Sequence, residues 1–229
     1  MSFNGKVVRK IGEIPKEFTY RRTRLERAGF LSIYTCVVDG VRRKVELMHR
    51  GHAVAVLAVD FATREVVMIQ QPRYVKPFAE RPAAMGALTR AQRLGSGIDD
   101  IGTFTVDAAD VTVLELCAGM IDPGETPEHA AIRELEEETG YVIRPDQLTL
   151  VTTYFPTLGG STELITAYIA RLEPGQPEVE PSGDGSEQIV VWRIPFEEAW
   201  KQMRGDRICA ASALVLLREL KIMDLEGRT

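Results

Sequence analysis

Residues 119–141 read GMIDPGETPEHAAIRELEEETGY, a loop followed by a helix. Thr126 suits the N-cap and Pro127 the first helical position, where a missing N–H costs nothing, while Gly140 supplies a left-handed residue to end the helix. The predicted helix runs from about Pro127 to Thr139. Glu134 and Glu138 stand four apart with Glu137 beside them, so three carboxylates gather on one face while Ala131, Ile132 and Leu135 turn to a core. Like charges one turn apart repel each other. A hard divalent ion such as Mg²⁺, which takes carboxylate oxygens, water and phosphate, makes that arrangement favourable. Arg133, four residues before Glu137 and within reach of Glu125 across the loop, is the local counter-charge. By itself RELEEE also reads as a solvated helix face.

Working outward, 229 residues with 45% hydrophobic and 27% charged composition suit a soluble globular protein with a substantial core. The net charge of −5 argues against general nucleic-acid or anionic-membrane binding. No run of 18 apolar residues and no signal-peptide core appears, so a cytoplasmic protein is expected. Cys36, Cys117 and Cys209 are widely separated and read as reduced packing residues. His49 and His52 read as structural or solvent-facing, since no third ligand stands at metal spacing nearby.

Phe30–Val38, Asp39-Gly40 and Val41–Met48 predict a hairpin and hence a small N-terminal sheet, in which Tyr20, Phe30 and Tyr34 pack. Ala53–Gln71 reads as two apolar strands joined near Ala62-Thr63-Arg64, and Val113–Cys117 as a strand entering the acidic stretch. Between them lies a long insertion at about residues 76–110, with a short helix at Leu88–Arg93, expected to be a lid, a dimer arm or a mobile segment. After the helix, Leu148–Tyr154, Leu164–Leu172 and Ile189–Ile194 read as strands. The first two flank Phe155–Glu163, a turn-rich loop carrying an acid, and a second loop carries Asp184 and Glu187. Helical periodicity covers Phe196–Met203 and about Ile208–Met223, the latter placing Ile208, Ala211, Val215, Leu216 and Ile222 toward a core.

Gly119, Glu125, Arg133, Glu134, Glu137, Glu138 and Gly140 stand at the spacing G-x5-E-x7-R-E-U-x-E-E-x-G-U, with Leu135 at the first apolar position. With residue frequencies of roughly 7%, a chance match of seven fixed positions at one starting point is on the order of 10⁻⁸. The stretch resembles the Nudix box, departing only at Tyr141, where that family has an aliphatic residue. Pro156 followed by GGSTE, together with VTVLELCAGMID and IQQPRYV, is similar to the ADP-ribose and nucleoside-diphosphate-sugar pyrophosphatases, most of all the UDP-sugar diphosphatase branch. Thr157 and Leu158 are extra residues between the proline and the glycines.

The resemblance implies an α/β class fold, an α/β/α sandwich around a mixed sheet. Residues 1–48 would form an N-terminal β region for dimerisation, and residues 49–229 a Nudix hydrolase domain with the insertion. It implies hydrolysis of the pyrophosphate bond of a nucleoside diphosphate sugar to a monophosphate and a sugar phosphate, by a homodimer using Mg²⁺, with Mn²⁺ as the alternative. The metal ligands would be Glu134, Glu138, Glu137 and the Ala118 carbonyl, oriented by Arg133 and Glu125. Arg73 is the candidate phosphate grip, with a surface role as its alternative, and Gly159 and Gly160 belong to the substrate loop. Glu115 reads equally as a substrate contact or half of a buried pair. The water-activating base is Glu187 or Glu163, with Glu187 preferred. Two other classes compete: a non-catalytic nucleotide-sugar sensor, and a hydrolase of dinucleotides or capped RNA, the latter using a basic groove around Arg90 and Arg93.

Overall fold

Two long apolar runs separated by a polar turn form the centre of the molecule. The structure, a computed structural model, describes residues 6–11, 16–20, 31–36, 45–76, 104–183, 185, 187–203 and 211–227. In chain order the strands are β1 (Lys6–Ile11), β2 (Glu17–Tyr20), β3 (Ser32–Cys36), β4 (Val45–His49), β5 (Ala53–Asp60), β6 (Glu65–Pro72), β7 (Phe104–Asp107), β8 (Thr112–Glu115), β9 (Cys117–Met120), β10 (Leu148–Tyr154), β11 (Ile165–Leu172) and β12 (Ile189–Pro195). The helices are α1 (Ala108–Val111), α2 (Pro127–Thr139), α3 (Phe196–Met203) and α4 (Ala211–Leu225).

The main sheet has the order β1-β12-β6-β5-β11-β10, parallel only between β5 and β11. Alternation along β5 and β11 divides the core between the two faces. Val54, Val56, Tyr168 and Ala170 meet Ala130, Ala131 and Leu135 of α2, while Ala55, Leu57, Ala167 and Ile169 meet Phe196, Ala199, Leu216 and Leu217 of α3 and α4. Helices therefore cover both faces of a mixed sheet, the expected sandwich.

One irregularity positions everything that follows. β5 and β6 pair with each other only through Ala58–Asp60 and Glu65–Val67. Beyond that they part, and residues 112–120 fill the gap, β8 against β6 and β9 against β5. The single strand expected at Val113–Cys117 is thus two short strands that change partner at Leu116, so Glu115, Cys117 and Gly119 alternate onto the α2 face.

The predicted hairpin is present as β3 paired with β4, Ser32 opposite His49. The expected N-terminal sheet is nonetheless divided, because β1 extends the main sheet along β12 and β2 pairs with β7. β7 and α1 also occupy the end of the expected insertion. Along α4 the buried stripe is Ala213, Leu216, Leu217 and Leu220, not Ala211, Val215 and Ile222. The observed set follows one continuous i, i+3, i+4, i+7 row, which buries more apolar surface than the mixed row read from sequence. Phe30, Asp39-Gly40, Leu88–Arg93, Asp184, Ile208 and Cys209, with the side chains of Tyr20, Tyr34 and Cys36, lie outside the described residues. Among the described residues, no helix is long and apolar enough to cross a membrane.

The end of the sheet remote from the splay is tied by Arg193 of β12, whose Nη2 donates to Asp60 at 2.6 Å and whose Nε donates to Glu65 at 3.0 Å. Burial works against the Asp60 carboxylate, but the Thr63 N–H and Arg193 hold it below its ordinary value. That contribution is present above the unfolded value and is lost as pH falls through the depressed one. Arg193→Met should lower the urea midpoint, corresponding to about 1–3 kcal/mol, with an unchanged slope. Below about pH 4 the gap between variant and parent should close; a gap independent of pH assigns the loss to packing instead.

Candidate active site

α2 begins as its sequence dictates, Thr126 Oγ1 accepting from the His129 N–H at 3.2 Å, and ends at Gly140, whose φ of 80° is left-handed. Its last carbonyls find partners in the turn and in the segment after β11. Gly140 N–H donates to Glu136 O, and Gly183 N–H to Glu137 O at 3.0 Å, while Val179 N–H donates to Gly140 O. Residues 177–183 therefore lie along the C-terminal end of α2 and lead the chain to Glu187. Tyr141 is buried in the α2-side core, filling with a ring the position expected to be aliphatic.

Arg133 is the hub of the acidic face. Its Nε and Nη2 grip Glu125 at 3.0 and 2.9 Å, Nη2 also donates to the Met120 carbonyl, and Nη1 reaches Glu134 at 2.8 Å and Glu137 at 3.0 Å. These contacts hold the Arg133 pKa above its ordinary value. Glu137 stays 40% exposed, along an open depression lined also by Glu125, His129, Ile132 and Glu136. Gly119 leaves the room Glu134 needs: a Cβ there would stand 1.9 Å from the Glu134 carboxyl carbon.

Glu138 turns the other way, under the sheet, and is 2% exposed. Its Oε2 accepts from the Ala118 N–H at 3.0 Å, and the Cys117 thiol lies within hydrogen-bonding reach. Burial, reinforced by the charge of Glu187, pushes its pKa up to about 8 despite these bonds. Burial likewise raises Glu134 against the pull of Arg133, and raises the Cys117 thiol well above its ordinary range. On β8, Glu115 is 5% exposed and takes both Nε and Nη2 of Arg73, at 2.5 and 3.1 Å. Arg73 itself is 44% exposed and feels the charges of Glu138 and Glu187.

Glu163 stands in the loop just before β11. It is 7% exposed, and its Oε1 accepts from Arg50 Nε at 2.9 Å and Nη2 at 2.7 Å. Its charge acts on Tyr154, which packs against the α3/α4-side core, whereas Glu187 acts on Arg73, Cys117, Glu134 and Glu138. Of the two acids offered as base by sequence, Glu163 is thus engaged by Arg50, while the charge of Glu187 bears on Glu134 and Glu138. Gly159 and Gly160 form a turn whose neighbour Ser161 bridges to Met48.

The NUDIX domain family model matches residues 104–211. The GDP-mannose pyrophosphatase of Cronobacter sakazakii is 30% identical over 182 residues, covering 80% of this chain and 80% of that protein. The chain belongs to the Nudix family. It is a Nudix hydrolase, also 30% identical over 113 residues to the ADP-ribose pyrophosphatase of Bacillus subtilis, covering 49% of this chain and 60% of that one. A crystal structure titled ADP compounds hydrolase superposes on it with a TM-score of 0.57 at 20% identity, over 96% of this chain and all of the other, a likeness of fold.

The Nudix acids are gathered round a guanidinium: among the described residues no three His, Cys, Asp or Glu side chains converge as a ready metal cage. Their chemistry still fits a hard cation, since Glu134 and Glu138 supply oxygens whose charge Arg133 and one N–H leave incompletely compensated. Sequence reading missed Arg50, which carries no motif; Cys117 is a free thiol packed in the α2-side core as expected, and its reach to Glu138 was not foreseen. Its i, i+2 relation to Glu115 on one strand was the available signal.

A carboxyl raised from 4.5 to about 8 stabilises the native state fully below its unfolded value, and this contribution is lost as pH rises through the folded one. With chelator present, the Tm of the parent should therefore fall between about pH 5 and pH 8, while that of Glu138→Gln changes less. Parallel curves would contradict burial as the cause.

Proposed function

We propose that this Nudix hydrolase cleaves the pyrophosphate bond of a nucleoside diphosphate sugar, releasing a nucleoside monophosphate and a sugar phosphate. The observation that supports this reading is that Arg73, bonded to Glu115 of β8, and Glu138, bonded to Ala118 of β9, stand on one sheet face beside Glu134 with the charge of Glu187 acting on them, an arrangement that suits a phosphate grip, a base and cation ligands working together. The names of the GDP-mannose and ADP-ribose pyrophosphatase relatives support this substrate class. Members of this family generally use divalent ions, and we assign Mg²⁺, with Mn²⁺ as alternative, to Glu134, Glu137, Glu138 and the Ala118 carbonyl. When bound, the ion supplies charge neutralisation to the pyrophosphate and acidity to a water.

This chain's own residues do the rest. Arg73, stationed by Glu115, turns its remaining N–H groups to a phosphate oxygen. Glu187 takes a proton from the attacking water as the new P–O bond forms and the bridging P–O bond breaks, the electron pair leaving with the departing phosphate. Arg133 and Glu125 keep Glu134 and Glu137 oriented. We place the enzyme in the cytoplasm as a homodimer assembled through residues 1–48, with residues 49–229 as the hydrolase domain, acting on a small molecule and on neither nucleic acid nor membrane.

A release assay with Mg²⁺ over GDP-mannose, ADP-ribose, UDP-glucose, a dinucleoside polyphosphate and a capped RNA should give monophosphate from a nucleotide sugar at the highest kcat/KM. Binding without turnover of any of them would make the protein a sensor. Glu187→Gln should lower kcat by about 10²–10⁴ with KM retained and should remove the acid limb of the pH profile; an unchanged kcat would remove Glu187 from the chemistry.

A further inference from the structure

Every residue from Gly160 to Leu164 is fastened to the end of β4 or to the short connection between β4 and β5. Met48 N–H donates to Gly160 O at 2.7 Å, and Thr162 N–H returns a bond to Met48 O. Ser161 bridges to Met48, and its Oγ accepts from the Glu163 N–H. His49 Nδ1 meets Thr162 Oγ1 at 2.7 Å, Arg50 grips Glu163, and Leu164 donates to His52 Nδ1 at 3.2 Å. Salt bridges at exposed sites contribute little, but here the carboxylate is buried and receives two charge-assisted bonds from one fork.

The tip of this loop has the opposite character. Among the described residues, a Cβ at Gly159 or Gly160 would meet nothing within 4 Å, and neither residue has a positive φ. Neither crowding by the described residues nor backbone strain explains two glycines there. The space they leave lies outside the protein, where a ligand can approach the backbone closely.

We propose that Arg50 and Glu163 are positioning residues: their charge-assisted pair, with the carboxylate buried, clamps the 157–164 loop to the end of β4 and the β4–β5 connection and presents its open glycine tip to the substrate. The assignment rests on the nucleotide-sugar reading for its ligand, but not for the clamp itself. It moves Glu163 from candidate base to anchor and leaves proton transfer to the α2 face.

The test uses the full chain with Arg50→Met, Arg50→Lys and Glu163→Gln, followed by amide hydrogen exchange and by steady-state kinetics on the nucleotide sugar the parent cleaves best. Arg50→Met should remove exchange protection at residues 160–164 and raise KM about tenfold or more, with kcat within about threefold, while Arg50→Lys recovers part of both. Glu163→Gln should give the same KM signature and keep the acid limb of the pH profile. A fall of about 100-fold or more in kcat for Glu163→Gln with KM unchanged makes Glu163 the base and overturns the proposal. An unchanged KM in Arg50→Met also overturns it. If the parent cleaves no nucleotide sugar, the substrate reading fails by itself, and exchange alone decides the clamp: retained protection in Arg50→Met refutes it, lost protection upholds it.

Discussion

Keeping carboxylates out of water at one end of a sheet is the constraint from which the arrangement of this molecule follows. Buried and half-buried acids have specific answers to their desolvation: buried Glu115 has Arg73, buried Glu163 has Arg50, and half-buried Glu125 and Glu134 share Arg133. Glu138 is the exception. The most buried of these acids, it is met by the Ala118 N–H and the Cys117 thiol but, among the described residues, is bonded by no guanidinium. An acid left so incompletely compensated either holds a proton or recruits a cation, and both responses are of use to a hydrolase that must bind a pyrophosphate.

The backbone feature behind this is the parting of β5 from β6. A sheet of continuous pairs would offer no gap for residues 112–120, and Glu115, Cys117 and Gly119 would not reach the α2 face together. The same parting brings the backbone N–H of Ala118 over Glu138 and lets α2 approach so closely that only glycine fits at residue 119. From the other side, residues 177–183 cap the helix with backbone bonds, and the charge of Glu187 further along bears on Glu134 and Glu138. Packing and chemistry thus draw on the same few contacts, so a change to the helix end also shifts the candidate base.

Much of α2 was legible because its determinants are local. Thr126, Pro127 and Gly140 act on backbone groups within one turn, and the link from Arg133 to Glu137 is an i, i+4 relation. The strands at 53–72, 148–172 and 189–195 were legible from apolar runs between turn residues. The register of α4 was not, because a helix apolar on several sides has more than one plausible buried row, and the surface of the sheet selects among them. Nor was the place of β1, since a short strand carries no mark of the edge it will join.

The sequence by itself determined the acid helix, its two ends, the spacing of its carboxylates and the mixed α/β class, because each depends on periods of a few residues. Only the tertiary structure decided that Glu163 belongs to Arg50, a partner 113 positions away, and that the charge of Glu187 bears on Glu134 and Glu138. It likewise decided that Arg73 is held by Glu115 and that Glu138 is buried and, among the described residues, bonded by no guanidinium. Those pairings depend on strand order and on which side of the sheet a loop returns to, and no local period encodes either.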